Sequence, residues 1–247
     1  MDCRWNSTKS HKERFAFATL LIAAEWLVPD ATGAVISSWR TRPARAVALA
    51  PPRVENALME AVRFPKLMTP RLVLRAPSER DIPAWFARAT DVESASLAGD
   101  HIPSDIGAGE RWLARSRQRF GDGRAIQWSI DQAGVSDAIG TITLSFGTTD
   151  AKAAALGFVL ARAHWGHGMG SEAAREVLRY AFETLALEQV TAEAATRNFA
   201  SLRILAKLGF KHIESFIDVF DGERCERFAL DADIGSSLLT SKATPDR

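Results

Sequence analysis

His164-Trp165-Gly166-His167-Gly168-Met169-Gly170-Ser171-Glu172-Ala173-Ala174 is the stretch on which the fold turns. It follows a short apolar run, Ala154-Ala155-Leu156-Gly157-Phe158-Val159-Leu160, and opens a helical pattern that continues to about Leu185. Three glycines at alternate positions, leading into a helix, leave a row of backbone N–H groups with no Cβ to hold a ligand away. The first N–H groups of a helix have no internal partner and lie at the positive end of its dipole, so the turn suits an anion, a phosphate above all. By itself it implies a phosphate-bearing ligand and nothing finer.

Two nucleotide motifs fail on these residues. A dinucleotide fingerprint needs a third glycine and a parallel βαβ unit, but Ser171 fills the third slot and the strands upstream read as antiparallel. A Walker loop needs Gly-Lys-Ser/Thr, which the chain lacks. A plain glycine turn without a ligand stays open at this point.

The chain has 247 residues, 47% hydrophobic and 25% charged, which is enough apolar material for one sizeable core. Cys3 and Cys225 are too few for a disulfide framework or a thiolate metal site, so a reducing, cytoplasmic setting is expected. Residues 1–67 hold ten Lys/Arg against six Asp/Glu (+4), and residues 68–247 hold 21 against 24 (−3). The main body lacks the basic excess of a nucleic acid binder, and no such partner is expected. A basic start followed by Phe15–Ala24 resembles a signal peptide, but Glu25, Trp26 and Asp30 interrupt it. The apolar run also falls short of the ~18 residues that span a bilayer, so no membrane partner is expected. Residues 31–65 are rich in Ala, Arg and Pro without a period. Residues 1–67 thus read as a poorly ordered extension, 68–230 as the folded domain and 231–247 as a loose polar tail.

Within the domain, Arg71–Arg75 alternates between two prolines and predicts a strand. Ser78 starts a helix with Ile82, Trp85, Phe86 and Ala89 on its apolar side, and a second helix runs from about Ser104 to Phe120 with Arg111, Arg115 and Arg119 as a solvated stripe. The period then changes to two. Ile126, Trp128 and Ile130 share a face with Ile142, Leu144 and Phe146 in a hairpin, and a third strand at 153–160 carries Gly157, a signal of a bulge or a close backbone approach. After the glycine turn, Ala174, Val177, Leu178, Ala181, Phe182 and Leu185 form a buried stripe, with Tyr180 as packing beside it. Glu172 with Arg175, Glu176 with Arg179, and Arg179 with Glu183 are expected as exposed pairs. Residues 189–194 predict a short strand, Asn198 suits an N-cap, Gly209 ends the next helix, and 211–230 make a hairpin turning at Asp221-Gly222. The sum is a mixed α/β fold on a largely antiparallel sheet. An edge strand in the last hairpin leaves a homodimer open.

The glycine turn has a companion, Thr196-Arg197-Asn198-Phe199-Ala200-Ser201-Leu202-Arg203-Ile204-Leu205-Ala206-Lys207-Leu208-Gly209-Phe210. Together the two segments resemble the GNAT N-acetyltransferase superfamily, and specifically its branch similar to the ribosomal-protein N-terminal acetyltransferases RimJ and RimL. A Trp-Gly-x-Gly turn followed by Ser and Glu-Ala, then Asn-x-x-Ser and Leu-Gly-Phe about thirty residues on, match in order and spacing. The resemblance covers roughly residues 68–230. It implies the GNAT fold and an acetyl-CoA-dependent N-acetyltransferase acting on a primary amine, a protein N-terminus or a small molecule. The competing implication is a non-catalytic acyl-CoA-binding or interaction module on the same fold.

In the reading the resemblance implies, the diphosphate of acetyl-CoA lies over Gly166, His167, Gly168, Met169, Gly170 and Ser171. The strand of Gly157, Phe158, Val159 and Leu160 splays to offer free N–H groups to the thioester and pantetheine, and Trp165 and Asn198 complete the cofactor set. Ser201, in the Asn-x-x-Ser position, is the expected acid or thiolate donor, with capping of its own helix as the alternative. Superfamily members that use a tyrosine place it where this chain has Leu205. A frequent glutamate two residues before the strand glycine is replaced by Ala155, which leaves Glu214, Asp218 or water as the base. His164 and His167 have no third ligand at a credible spacing, and no metal is expected.

Overall fold

The computed structural model describes residues 64–99, 101–135, 137–147, 150–219 and 222–235. Nearly all of the expected extension, and Asp221 of the expected hairpin turn, lie outside these residues. A short strand β1 (Leu67–Met68) precedes β2 (Leu72–Arg75). Three helices follow, α1 (Ile82–Ala89), α2 (Val92–Ala98) and α3 (Gly107–Gly121), one more than the sequence pattern predicted. Then come β3 (Ala125–Gln132), β4 (Gly140–Phe146), β5 (Ala153–Leu160), α4 (Met169–Arg179, continued by a π turn at Tyr180–Thr184) and β6 (Gln189–Ala195). The domain closes with α5 (Phe199–Lys207), β7 (Lys211–Ile217) and β8 (Arg224–Asp231).

The strands form one sheet in the order β1-β2-β3-β4-β5-β6-β8-β7, antiparallel except where β5 meets β6. Alternation sends Leu72, Leu74, Ile126, Trp128, Ile130, Ile142, Leu144, Leu156, Val190, Ala192 and Leu230 to one face. There they bury against Ala173, Ala174, Val177, Leu178, Ala181 and Phe182 of the α4 segment and Leu205 of α5. Each buried Leu or Ile removes enough apolar area to favour folding by about 1.5–3 kcal/mol, so this face carries most of the stability. Tyr180 packs edge-on to Trp128, ring centroids 6.0 Å apart. A smaller cluster joins α1 to α3 through Trp85 stacked on Trp112 at 5.4 Å.

On the opposite face the α1 entry is tied to the sheet by a polar knot. Asp81, 2% exposed, accepts hydrogen bonds from Arg75 (2.7 and 2.8 Å), the Ser78 N–H (2.8 Å) and the Ser129 hydroxyl (2.9 Å), while Arg75 also pairs with Asp131 at 2.6 Å. Burial pushes the Asp81 carboxyl up, but these donors together outweigh it and hold it below the usual carboxylate range.

The ends of the domain are held as well. Pro65 O accepts from the Trp128 indole at 2.7 Å, and Phe64 packs on Phe120. Beyond β8 the Ala232 N–H donates to Glu188 O at 2.9 Å, so the chain is tied down past the Asp231 boundary expected for a loose tail.

Candidate functional site

The glycine turn leaves β5 through a tight reversal. The Trp165 indole N–H donates to Leu160 O at 2.7 Å, which folds the turn back on the strand end. Gly166 and Gly168 have φ of 78° and 75°, the left-handed region that favours glycine. Gly168 is the N-cap of α4, no side chain caps that helix, and its first internal bond is Glu172 N–H to Gly168 O at 3.0 Å. The N–H groups of Met169, Gly170 and Ser171 therefore precede the helical ladder. The three glycines are not equivalent, contrary to the sequence reading. A Cβ at Gly166 would meet nothing within 4 Å and one at Gly168 only Arg71 Nη2 at 3.6 Å, but at Gly170 it would press on Ile204 Cδ1 (3.1 Å) and Leu160 Cδ1 (3.3 Å). At Gly170 the missing Cβ lets α4 pack closely on Ile204 and Leu160.

Beside the turn the sheet opens. β5 pairs with β6 only from Ala153–Leu156 to Gln189–Ala192, whereas β5 continues along β4 to Leu160 and β6 continues along β8 to Ala195. In the β4–β5 ladder Gly157 and Val159 turn their backbone groups to β4, as the Ala161 N–H to Ile139 O bond fixes the parity. Phe158 and Leu160 consequently turn theirs toward β6, which has parted from β5 at that level, so among the described residues neither has a ladder partner on that side, whereas Gly157 and Val159 are paired with β4. Gly157 stands in unbroken register with Thr143, so it marks no bulge, and a side chain there would meet nothing within 4 Å.

α5 starts at the far side of this opening. Asn198 caps it by accepting the Ser201 N–H at 3.1 Å, and donates its own amide to Leu97 O of α2 at 3.1 Å. Both polar ends of Asn198 are thus engaged, one in starting α5 and one in holding α2. The cap bonds to the Ser201 backbone, and among the described residues the Ser201 hydroxyl has no hydrogen bond, so it is not spent on capping its own helix. Ser201 lies three residues before Ile204, whose Cδ1 abuts Gly170, so the two share one side of the helix. α2 bridges the two strand exits, with Arg162 pairing Asp91 (3.0 Å) and Glu93 (2.7 Å) at one end and Arg197 donating to Ser96 O (2.8 Å) at the other. Beneath it lies a cleft of about 700 Å³ lined by these charged groups.

Of the carboxylates proposed as base, Glu214 is ion-paired with Arg227, whose guanidinium lies over the Phe216 ring, and Asp218 sits in the β7–β8 turn. A third was missed in the sequence. Glu193 follows Ala192, the last residue of β6 to pair with β5, so it is the residue of β6 abreast of Gly157 where the strands part. It points to the face carrying Gly157 and Ala155, opposite the α4 side, and Arg227 Nε holds one of its oxygens at 2.7 Å. The signal was available in the alternation of residues 189–194.

The match of an acetyltransferase (GNAT) domain to residues 71–211, more than half of the chain, decides what this arrangement is. The chain belongs to the GNAT acetyltransferase family. It is 30% identical over 148 residues to the uncharacterized N-acetyltransferase YoaA of Bacillus subtilis, covering 60% of this chain and 84% of that one. Among solved structures, the fold is similar to spermidine N-acetyltransferase from Vibrio cholerae in complex with CoA and spermine, at a TM-score of 0.61 and 16% identity over 68% of this chain and 99% of that one. It is also similar to Mycobacterium smegmatis RimJ in complex with CoA-disulfide, at a TM-score of 0.60 and 21% identity over 71% and 91%. As a GNAT acyltransferase the protein uses acetyl-CoA as its donor and an amine as its acceptor. Within the family pattern it departs at two places. Leu205, in the tyrosine position, is 1% exposed inside the core, and Ala155 carries no acid. Among the described residues no helix is long and apolar enough to cross a membrane, and no group of three His, Cys, Asp or Glu is placed to hold a metal.

Proposed function

We propose that the enzyme acetylates an α-amine, on a protein N-terminus or a small molecule, by direct attack on acetyl-CoA. The observation that carries this is the parting of β5 from β6 next to an open row of helix N–H groups. The diphosphate lies over Gly166–Ser171, the pantetheine arm runs into the opening, and the thioester carbonyl accepts from the Phe158 or Leu160 N–H as its oxygen gains charge. The amine nitrogen attacks the carbonyl carbon, the C–S bond breaks, and CoA leaves as its thiol. Glu193 takes one proton from the ammonium, and the second, released once the nitrogen has attacked, passes by way of the Ser201 hydroxyl to the departing sulfur. Trp165 braces the turn, and Asn198 sets the position of Ser201.

The acceptor class follows from Ala155, which stands where the family often carries a glutamate. The carboxylates nearest the opening, Glu193 and Glu214, are both ion-paired with Arg227. Deprotonating an α-amine of pKa near ~8 costs about 1–1.5 kcal/mol at pH 7, whereas a lysine near ~10.4 costs roughly 4.6 kcal/mol. Such a site suits the less basic amine. Thiol release measured with peptides bearing free or blocked N-termini tests this: the free terminus is expected to react and the blocked one not. Acetylation of lysine alone would overturn the assignment.

A further inference from the structure

An acidic side chain in the first turn stabilises a helix but repels a second anion at the same terminus. Glu172 occupies that position in α4, one residue past Ser171. Its expected partner Arg175 is not the one it takes. The β1–β2 turn, 101 residues earlier in the chain, reaches over instead: Thr69 Oγ1 donates to Oε1 at 2.5 Å and the Arg71 backbone N–H to the same oxygen at 3.1 Å. The Arg71 guanidinium grips Oε2 through Nε at 2.7 Å and Nη2 at 2.6 Å. Burial pushes the Glu172 carboxyl up, yet the Thr69 and Arg71 donors prevail and keep it below its ordinary range, so it stays charged and Arg71 neutralises it.

The same guanidinium does a second job. Its Nη1 donates to His167 O at 3.0 Å. In a planar trans peptide the C=O of one residue and the N–H of the next point in opposite directions. Fixing the His167 carbonyl on Arg71 therefore fixes the direction of the Gly168 N–H at the mouth of α4. Arg71 Nη2 also stands 3.6 Å from where a Gly168 Cβ would be, and its side chain is 49% exposed.

We propose that Arg71, assisted by Thr69, is a positioning residue for the diphosphate of the acyl donor, cancelling the charge of Glu172 and aiming the Gly168 N–H. This rests on the reading that the Gly166–Ser171 turn holds that diphosphate. Acetyl-pantetheine, which carries the thioester but no diphosphate, separates this role from a general structural one. With the full chain, Arg71→Ala is expected to raise KM for acetyl-CoA about tenfold, leave kcat within about twofold, and leave KM for acetyl-pantetheine unchanged. Thr69→Val, a milder change that keeps the turn, moves KM for acetyl-CoA in the same direction by less. An equal rise for both donors, or none for acetyl-CoA, overturns the proposal. Gly168→Ala is the companion variant. If it selectively harms acetyl-CoA while Arg71→Ala does not, only the role of Arg71 falls; if neither variant distinguishes the donors, the reading of the turn falls with it.

Discussion

Replacing Glu193 by Gln separates the chemistry of this site from its architecture. The glutamate side chain is 34% exposed, and its one oxygen on Arg227 can be matched by the amide oxygen of glutamine. Arg227 also keeps Glu214, so no charge is stranded, and stability is expected to change by less than about 1 kcal/mol. The rate is another matter. A positioned general base contributes about 10²–10⁴-fold, and a side chain one-third open to water, where a water molecule can stand in for it, belongs at the low end. The expected loss in kcat/KM is therefore about 10²-fold at pH 7, or roughly 2.7 kcal/mol of barrier. The assay is thiol release from acetyl-CoA across pH 6–10 with an α-amine peptide, alongside urea denaturation of the same preparation. The deficit should shrink as pH rises past the amine's own pKa, because a neutral amine needs no base before attack. A variant as active as wild type at pH 7, or a deficit constant from pH 7 to 10, would refute Glu193 as the base.

Other expectations follow from single contacts. Ser201→Ala should lower kcat about tenfold or more with unchanged stability, because the hydroxyl has no hydrogen bond among the described residues to lose; unchanged kcat would remove Ser201 from the chemistry. Gly157→Val adds a side chain into open space, so melting should stay near wild type while turnover falls as the valine crowds the parting of the strands; full activity would place the reaction elsewhere. Asp81→Asn should destabilise the domain by about 3 kcal/mol, the low end for breaking a buried pair because Arg75 keeps Asp131. Since the folded carboxyl is lowered, its contribution is present above the unfolded value near ~3.9 and is lost as pH falls through the folded one. The variant's stability should therefore fall less steeply than wild type below about pH 4, and parallel acid titrations of stability would contradict this.

Much of the architecture could be read from residue order. The period-two runs at 126–130 and 142–146, the cap at Asn198 and the left-handed Gly209 (φ 84°) are local signals, and local signals survive folding. α2 was not legible. Val92–Ala98 is seven residues without a sustained apolar stripe, and its ends are pinned by Arg162, Arg197 and Asn198 from distant parts of the chain. The pairing of Glu172 failed for the same reason, since helical spacing offers Arg175 while the fold delivers Arg71. Glu176–Arg179 and Arg179–Glu183, whose partners are truly local, formed as expected. The glycines of the turn teach a finer lesson, that identical letters two apart can serve backbone conformation at Gly168 and helix packing at Gly170.

Among the described residues the ladder that joins the two halves of the sheet is confined to Ala153–Leu156 and Gln189–Ala192, extended by Lys152 O to the N–H groups of Glu188 and Gln189, so the domain carries a seam along its middle. A donor lodged there would act as a missing rung, bonded to β5 on one flank and hemmed by α4 and α5 on the other. Occupancy at a hundredfold excess over Kd would add about 2.7 kcal/mol to the folded state. Amide exchange should slow first in Phe158 and Leu160, the residues that line the unzipped margin.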